Sequence, residues 1–176
     1  MPLLDPRTTT LLVIDLQEKL VPAIWEKERL LANVAKVLQL ARILGLKTVP
    51  TTQYCRGLGP TVPEIAALLD TEPIDKTSFG CFGDPRIVEE LSGTLLVVGI
   101  EAHICVCQTV VGALEAGFPV HVAADATSSR TEANWRTGLE RMRGAGAVIS
   151  STEMAIYELL GRSDREEFRR MLPFLK

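Results

Sequence analysis

The stretch Thr94-Leu-Leu-Val-Val-Gly99, followed by a helical pattern from Ala102 to Ala116 and then by Val120-His-Val-Ala-Ala124, reads as strand, helix, strand. Short apolar runs rich in β-branched residues have the length and composition of buried strands. The segment between them is long enough to cross back over a sheet, so the two strands run parallel. Working outward, runs of the same kind recur at Thr10–Ile14, Leu46–Pro50, Glu72–Asp75 and Ala147–Ile149. The third of these is short and carries Pro73, which cannot donate to a strand ladder. Helical patterns of about ten or more residues fill most of the gaps. That alternation predicts an α/β fold, a parallel sheet covered by helices on both faces.

The longest helix is expected over Glu26 to Leu44, where Leu30, Val34, Val37, Leu38, Ala41 and Leu44 keep one apolar stripe and Gly45 supplies the stop. Ser129-x-x-Glu132 has the form of a capping box for a helix reaching Met142. Ser150-x-x-Glu153 and Ser163-x-x-Glu166 predict two more helix starts. Gln53–Pro63, with Gly57, Gly59, Pro60 and Pro63, reads as an irregular loop.

The chain has 176 residues, 47% hydrophobic and 23% charged, with a net charge of −3. This fits a single domain spanning residues 1–176, long enough to bury a core without staples. The charge balance gives no reason to expect a nucleic-acid partner. The opening residues lack a basic segment followed by an apolar one, and no apolar run approaches the roughly 18 residues that cross a bilayer, so a cytoplasmic protein with no membrane partner is expected. Four cysteines, Cys55, Cys81, Cys105 and Cys107, are irregularly spaced, which suggests neither a disulfide framework nor a structural zinc site and suits a reducing compartment.

In open parallel sheets ligands bind beyond the carboxyl ends of the strands. Asp15 ends one run, Lys76 follows another, and Cys105 lies just past a third, which puts a carboxylate, an ammonium and a thiol on one rim. A thiol at a helix start beside a lysine is expected to ionise more readily than usual and to act as nucleophile. The aspartate would take its proton, and backbone N–H groups of the Gly99–Cys105 turn would hold an oxyanion. Each residue also has a structural reading: Asp15 as a turn or cap residue, Lys76 as a surface charge, Cys105 as small core filler.

The segments Gly99-Ile-Glu-Ala-His-Ile-Cys105-Val and Gly117-Phe-Pro-Val-His-Val-Ala-Ala-Asp125-Ala resemble the nucleophile region of the isochorismatase-like cysteine hydrolases. Leu12-Val-Ile-Asp15-Leu-Gln17 and Asp75-Lys76-Thr-Ser-Phe79 resemble that superfamily's aspartate and lysine motifs, in the same order. The resemblance covers nearly the whole chain, and it implies a three-layer Rossmann-like fold with a six-stranded parallel sheet and an Asp15, Lys76, Cys105 triad. It further implies a cis peptide bond between Ile100 and Glu101, with the backbone N–H groups of Glu101 and Cys105 forming the oxyanion hole. Thr51-Thr-Gln-Tyr54-Cys-Arg-Gly57-Leu-Gly-Pro-Thr-Val-Pro63-Glu and Asp125-Ala-Thr-Ser-Ser-Arg130 are most similar to the isochorismatase domain-containing group.

Two departures bear on the reaction. Nicotinamidases of the superfamily carry an Asp-x-His metal motif after the second strand, where this chain has Thr51, Thr52 and Gln53. With only His103 and His121 available, no metal or other cofactor is expected. The family also often has Thr where Ala102 stands. Gln17, Trp25, Tyr54, Phe79 and His103 are candidates for the wall of a small-molecule pocket, each with core packing or an exposed helix start as a rival. His121 and Cys107 read as structural, Cys55 and Cys81 lie near the rim without a role, and Asp125 reads as a residue satisfying amides at the next turn.

The expected activity is hydrolysis of a small amide-like or related acyl substrate through a thioester at Cys105. The alternatives are isochorismatase-type cleavage of a vinyl ether, which needs no thiol, and a non-catalytic interaction protein on the same fold. The resemblance implies a homo-oligomer, and the apolar segment Phe168–Leu175 is a candidate contact.

Overall fold

A computed structural model describes residues 3–175. Six strands, β1 (Thr9–Ile14), β2 (Lys47–Gln53), β3 (Ile74–Lys76), β4 (Thr94–Gly99), β5 (Val120–Thr127) and β6 (Val148–Ser150), form one sheet in the order β3-β2-β1-β4-β5-β6. Every pairing is parallel. The longer helices are α1 (Lys27–Leu44), α5 (Cys107–Glu115), α6 (Glu132–Ala145), α7 (Thr152–Leu160) and α8 (Glu166–Leu175). Between β2 and β4 lie the single turns α2 (Cys55–Leu58), α3 (Pro63–Ala66) and α4 (Pro85–Val88).

Both faces of the central strands are apolar, as a sheet covered twice requires. Leu11 and Val13 of β1, with Leu96 and Val98 of β4, join a core that includes Leu30, Val34 and Leu38 of α1 and Ile156 of α7. The alternate residues Leu12, Ile14, Leu95 and Val97 face the other way, onto Val110 of α5 and Leu139 and Met142 of α6. Each such side chain, fully removed from water, contributes about 1.5–3 kcal/mol relative to exposure.

The winding order reverses between β1 and β4, so the helices after these two strands cover opposite faces of the sheet, and such a switch point is where doubly wound folds hold a crevice at the carboxyl ends of the strands. The register sets Ile14 opposite Gly99, so Asp15 and Ile100 leave the sheet side by side. Gly99 has φ 117°, and a Cβ there would meet the Ile14 carbonyl oxygen at 2.2 Å, so only glycine permits this approach.

The sequence-predicted elements are present with shifted ends. Gly45, left-handed at φ 67°, closes α1 by donating to Ala41 O, at the expected stop. β2 runs on to Gln53, and Cys55–Leu58 forms a helical turn inside the segment expected to be irregular. The capping boxes are displaced. Thr131, not Ser129, accepts from Asn134 N at the start of α6, and Ser151, not Ser150, accepts from Met154 N at the start of α7. Ser129 is buried instead, where its carbonyl takes the Trp25 N–H at 2.9 Å. Residues 102–106 are not the first turn of α5 but a π-helical turn, with Val106 N donating to Glu101 O. Among the described residues no helix is long and apolar enough to cross a membrane.

Candidate active site

Asp15 leaves β1 with φ 54°, a left-handed conformation that aspartate tolerates better than most residues. Its backbone N–H donates to Thr51 O at 3.2 Å, which ties it to the end of β2. The carboxylate is completely buried and each oxygen is held. Thr51 Oγ1 donates to Oδ1 at 2.8 Å, and Lys76 Nζ lies 2.7 Å from Oδ2. Lys76 is buried too and spreads its remaining donors over Gln53 Oε1 at 2.8 Å, Phe79 O at 3.0 Å and Ser78 O at 3.3 Å. Placing an ammonium out of water is costly unless its hydrogens are matched in this way.

Cys105 enters from the π-helical turn beyond β4, 7% exposed. Its thiol lies near enough to the Asp15 carboxylate and to the Glu101 backbone for both to act on its acidity. Three residues separated by 61 and 29 positions in sequence therefore meet at the crevice, and the Ile100–Glu101 bond beside them is cis. The Glu101 carboxylate points away to Arg130, whose Nε lies 3.0 Å from Oε2.

The expected acidity of the thiol is reversed. Burial, then the neighbouring Asp15 charge, pushes Cys105 from its ordinary 9.0 up to about 12, against the smaller opposing pull of Lys76 and the Glu101 backbone. The Asp15 carboxylate paired with the ammonium lies beside the same sulfur and outweighs the ammonium's pull. The resting group is thus carboxylate, ammonium and thiol. Iodoacetamide should alkylate Cys105 slowly at pH 7–8 and progressively faster through pH 9 and above, as followed by peptide mass; a rate already level by pH 7 would contradict this assignment. Because the folded thiol is the less acidic, the stability it contributes is present below pH 9 and is lost as pH rises towards 12.

The other sequence candidates fall in different settings. Gln17 is wholly buried and lines nothing: its amide donates to Gln53 O at 3.1 Å and Gly59 O at 2.7 Å, and accepts from Gln53 N at 2.7 Å. Tyr54 and Phe79 are 52% and 57% exposed at the rim. Trp25 lies 5.3 Å from Trp135, with the Arg29 guanidinium near both rings. His103 is half-buried with Nδ1 3.0 Å from Ser129 Oγ. Asp125 accepts from the Thr152 backbone and hydroxyl at 2.7 and 2.9 Å, a structural role, though at the start of α7 and not at the next turn as the sequence suggested. Cys107 is buried in the core.

Sequence reasoning passed over Thr51 and Gln53, noting them only as residues that are not metal ligands. Their spacing of two on one strand was the available signal, since it puts both side chains on one face at the rim. It placed Cys81 near the rim without a role and passed over Thr109. Cys81 N donates to Thr109 Oγ1 at 3.0 Å, and that hydroxyl donates to Cys105 O at 2.6 Å. Burial holds the Cys81 thiol up at about 11. Among the described residues, no group of three or more His, Cys, Asp or Glu side chains is arranged to hold a metal ion.

A six-stranded doubly wound sheet with a carboxylate, an ammonium and a thiol gathered at its switch point defines a class of α/β proteins with a polar centre buried at the crevice. The chain belongs to the isochorismatase family: residues 9–154 match the profile of the isochorismatase domain. It is 34% identical over 176 residues to isochorismatase domain-containing protein 2 of Bos taurus, an alignment covering 97% of this chain and 84% of the relative. Among solved structures, the MAR1 ribonuclease of Caenorhabditis elegans superposes with a TM-score of 0.94 at 35% identity, covering 99% of this chain and 92% of that one. YcaC of Escherichia coli, described as an octameric hydrolase of unknown specificity, superposes with a TM-score of 0.91 at 25% identity, covering 98% and 92%. Family membership points to a hydrolase.

Proposed function

We propose that this protein hydrolyses a small amide-like or related acyl substrate through a thioester on Cys105, with no metal or other cofactor. The observation that carries the proposal is the buried pair of Asp15 and Lys76 at 2.7 Å, whose carboxylate acts on the neighbouring Cys105 thiol. Because the sulfur rests as a thiol, its proton passes to Asp15 as the S–C bond forms, and the carbonyl electrons move to an oxyanion held by the backbone N–H groups of Glu101 and Cys105. Collapse of that intermediate breaks the C–N bond, and Asp15 returns the proton to the departing amine. Water then attacks the thioester, giving its proton to Asp15. The carboxylic acid leaves, and the sulfur regains a proton from Asp15.

Lys76 keeps Asp15 ionised and oriented, and Trp25, Tyr54, Phe79 and His103 supply the surfaces nearest the crevice. A buried centre and a net charge of −3 favour a small substrate over a polyanion such as RNA, despite the name of the nematode relative. By analogy with the octameric relative we place the protein in a homo-oligomer. Its four free cysteines fit the cytoplasm.

Turnover of small amides, N-carbamoyl compounds, isochorismate and an RNA oligonucleotide, each with and without a chelator, tests this reading. We expect release of an amine or ammonia from a compound of the first two kinds, unchanged by chelation. Cleavage of isochorismate alone, of RNA alone, or of nothing in a broad panel would overturn it.

A further inference from the structure

The end of β2 carries two side chains that face the buried ion pair, and each holds one member of it. Thr51 Oγ1 has a single hydrogen, and it goes to Asp15 Oδ1 at 2.8 Å. Gln53 Oε1 accepts from Lys76 at 2.8 Å, and its orientation is fixed because Nε2 donates to Thr77 O at 2.9 Å. An ionised carboxylate offers about four lone-pair directions. Thr51 takes one on Oδ1 and Lys76 one on Oδ2, which locks the plane of the carboxylate from two sides while leaving acceptor capacity for the thiol. Thr51 is itself almost fully buried, on a strand paired with β1, and so is as rigid as the group it holds.

We infer that Thr51 is a positioning residue for this centre: its hydroxyl fixes Asp15 Oδ1 so that the carboxylate both stays ionised and faces the Cys105 thiol. The inference rests on the reading of Asp15 as the base. The charged and titratable groups that face Asp15 are Lys76 from β3, Cys105 from the π-helical turn and Cys81 from the turn Cys81–Gly83. Lys76 is the charged donor to the carboxylate, and the Thr51 hydroxyl is a neutral one. Removing a donor from a buried carboxylate makes its protonated form relatively more favourable, so the pH below which the base is disabled must rise.

Acrylamide is a suitable probe because its addition uses the same proton path. The sulfur bonds to the β-carbon, the C=C electrons move to the α-carbon, and the thiol proton, carried by Asp15, ends on that carbon. The rate of adduct formation at Cys105 is measured by peptide mass between pH 4 and 9 for the wild type, Thr51→Val, Thr51→Ala and Thr51→Ser. With Val or Ala we expect the acid limb to move up by about one pH unit and the rate at pH 7 to fall by about tenfold, and Ser to restore both to within about twofold of wild type. A hydroxyl that only supported the fold would lower the melting temperature and leave the acid limb in place, and that result would overturn the inference. Ala covers the case in which Val does not fold. Asp15→Asn separates the two levels. If it fails to slow addition, the reading of Asp15 falls. If it slows addition while the Thr51 variants keep the wild-type limb, only the role of Thr51 falls.

Discussion

Lys76→Met should destabilise the protein by about 3–5 kcal/mol, since it leaves the Asp15 carboxylate buried with its charge uncompensated. For a chain of this length that corresponds to a fall of roughly 6–20 °C in melting temperature. The size of the effect follows from the burial of both partners: an exposed pair such as Arg162 with Asp164 would change little on the same treatment. Removing the second charge as well, in Lys76→Met with Asp15→Asn, should recover part of the loss, because a neutral amide in that cavity no longer needs a cation. Thermal unfolding of the single and double variants checks both statements. A single variant as stable as wild type would mean that the ion pair is not formed in the folded protein.

Cys105→Ala should reduce turnover by about 10⁴-fold or more, because no thioester can then form. Asp15→Asn should lower it by about 10²–10⁴-fold, the usual worth of a positioned base, while leaving Cys105 in place. The two losses should not add in the double variant, since base and nucleophile act in one step. Initial rates on the amide or N-carbamoyl compound found to turn over, with melting temperatures alongside, separate lost chemistry from lost folding.

The framework of this site was legible in the sequence because it sits at strand ends, and strand ends are marked by composition. Asp15 directly follows β1, Lys76 ends β3 and Cys105 lies in the turn that follows β4, and a parallel sheet forces such positions onto one rim. Gly45 was readable for another reason: its role is local, set by neighbours along the chain. What sequence reasoning missed depends on burial and on partners distant in sequence. Gln17 looks like a rim residue until Gln53 and Gly59 are brought against it, and then its amide is spent on backbone.

The acidity of Cys105 failed for the same cause. A thiol beside a lysine suggests an easy thiolate, but the Asp15 carboxylate paired with Lys76 lies beside the same sulfur, which feels its burial and the aspartate more. The capping boxes slipped because serines and threonines crowd those starts, with Ser128, Ser129 and Thr131 before α6 and Ser150 and Ser151 before α7, which itself begins at Thr152. Several residues can then offer the capping oxygen, and tertiary contacts choose among them. The π-helical turn carries no composition signal that distinguishes it from an ordinary helix start.

The central claim is that Cys105 becomes acylated. Wild-type protein mixed with the amide or N-carbamoyl substrate that it turns over, quenched in acid within the first turnovers and digested, reads this directly by mass spectrometry. The acyl group of the substrate should be carried on the peptide containing Cys105 and released by hydroxylamine. Continued turnover with that peptide unmodified, or with Cys105→Ala as fast as wild type, would contradict it.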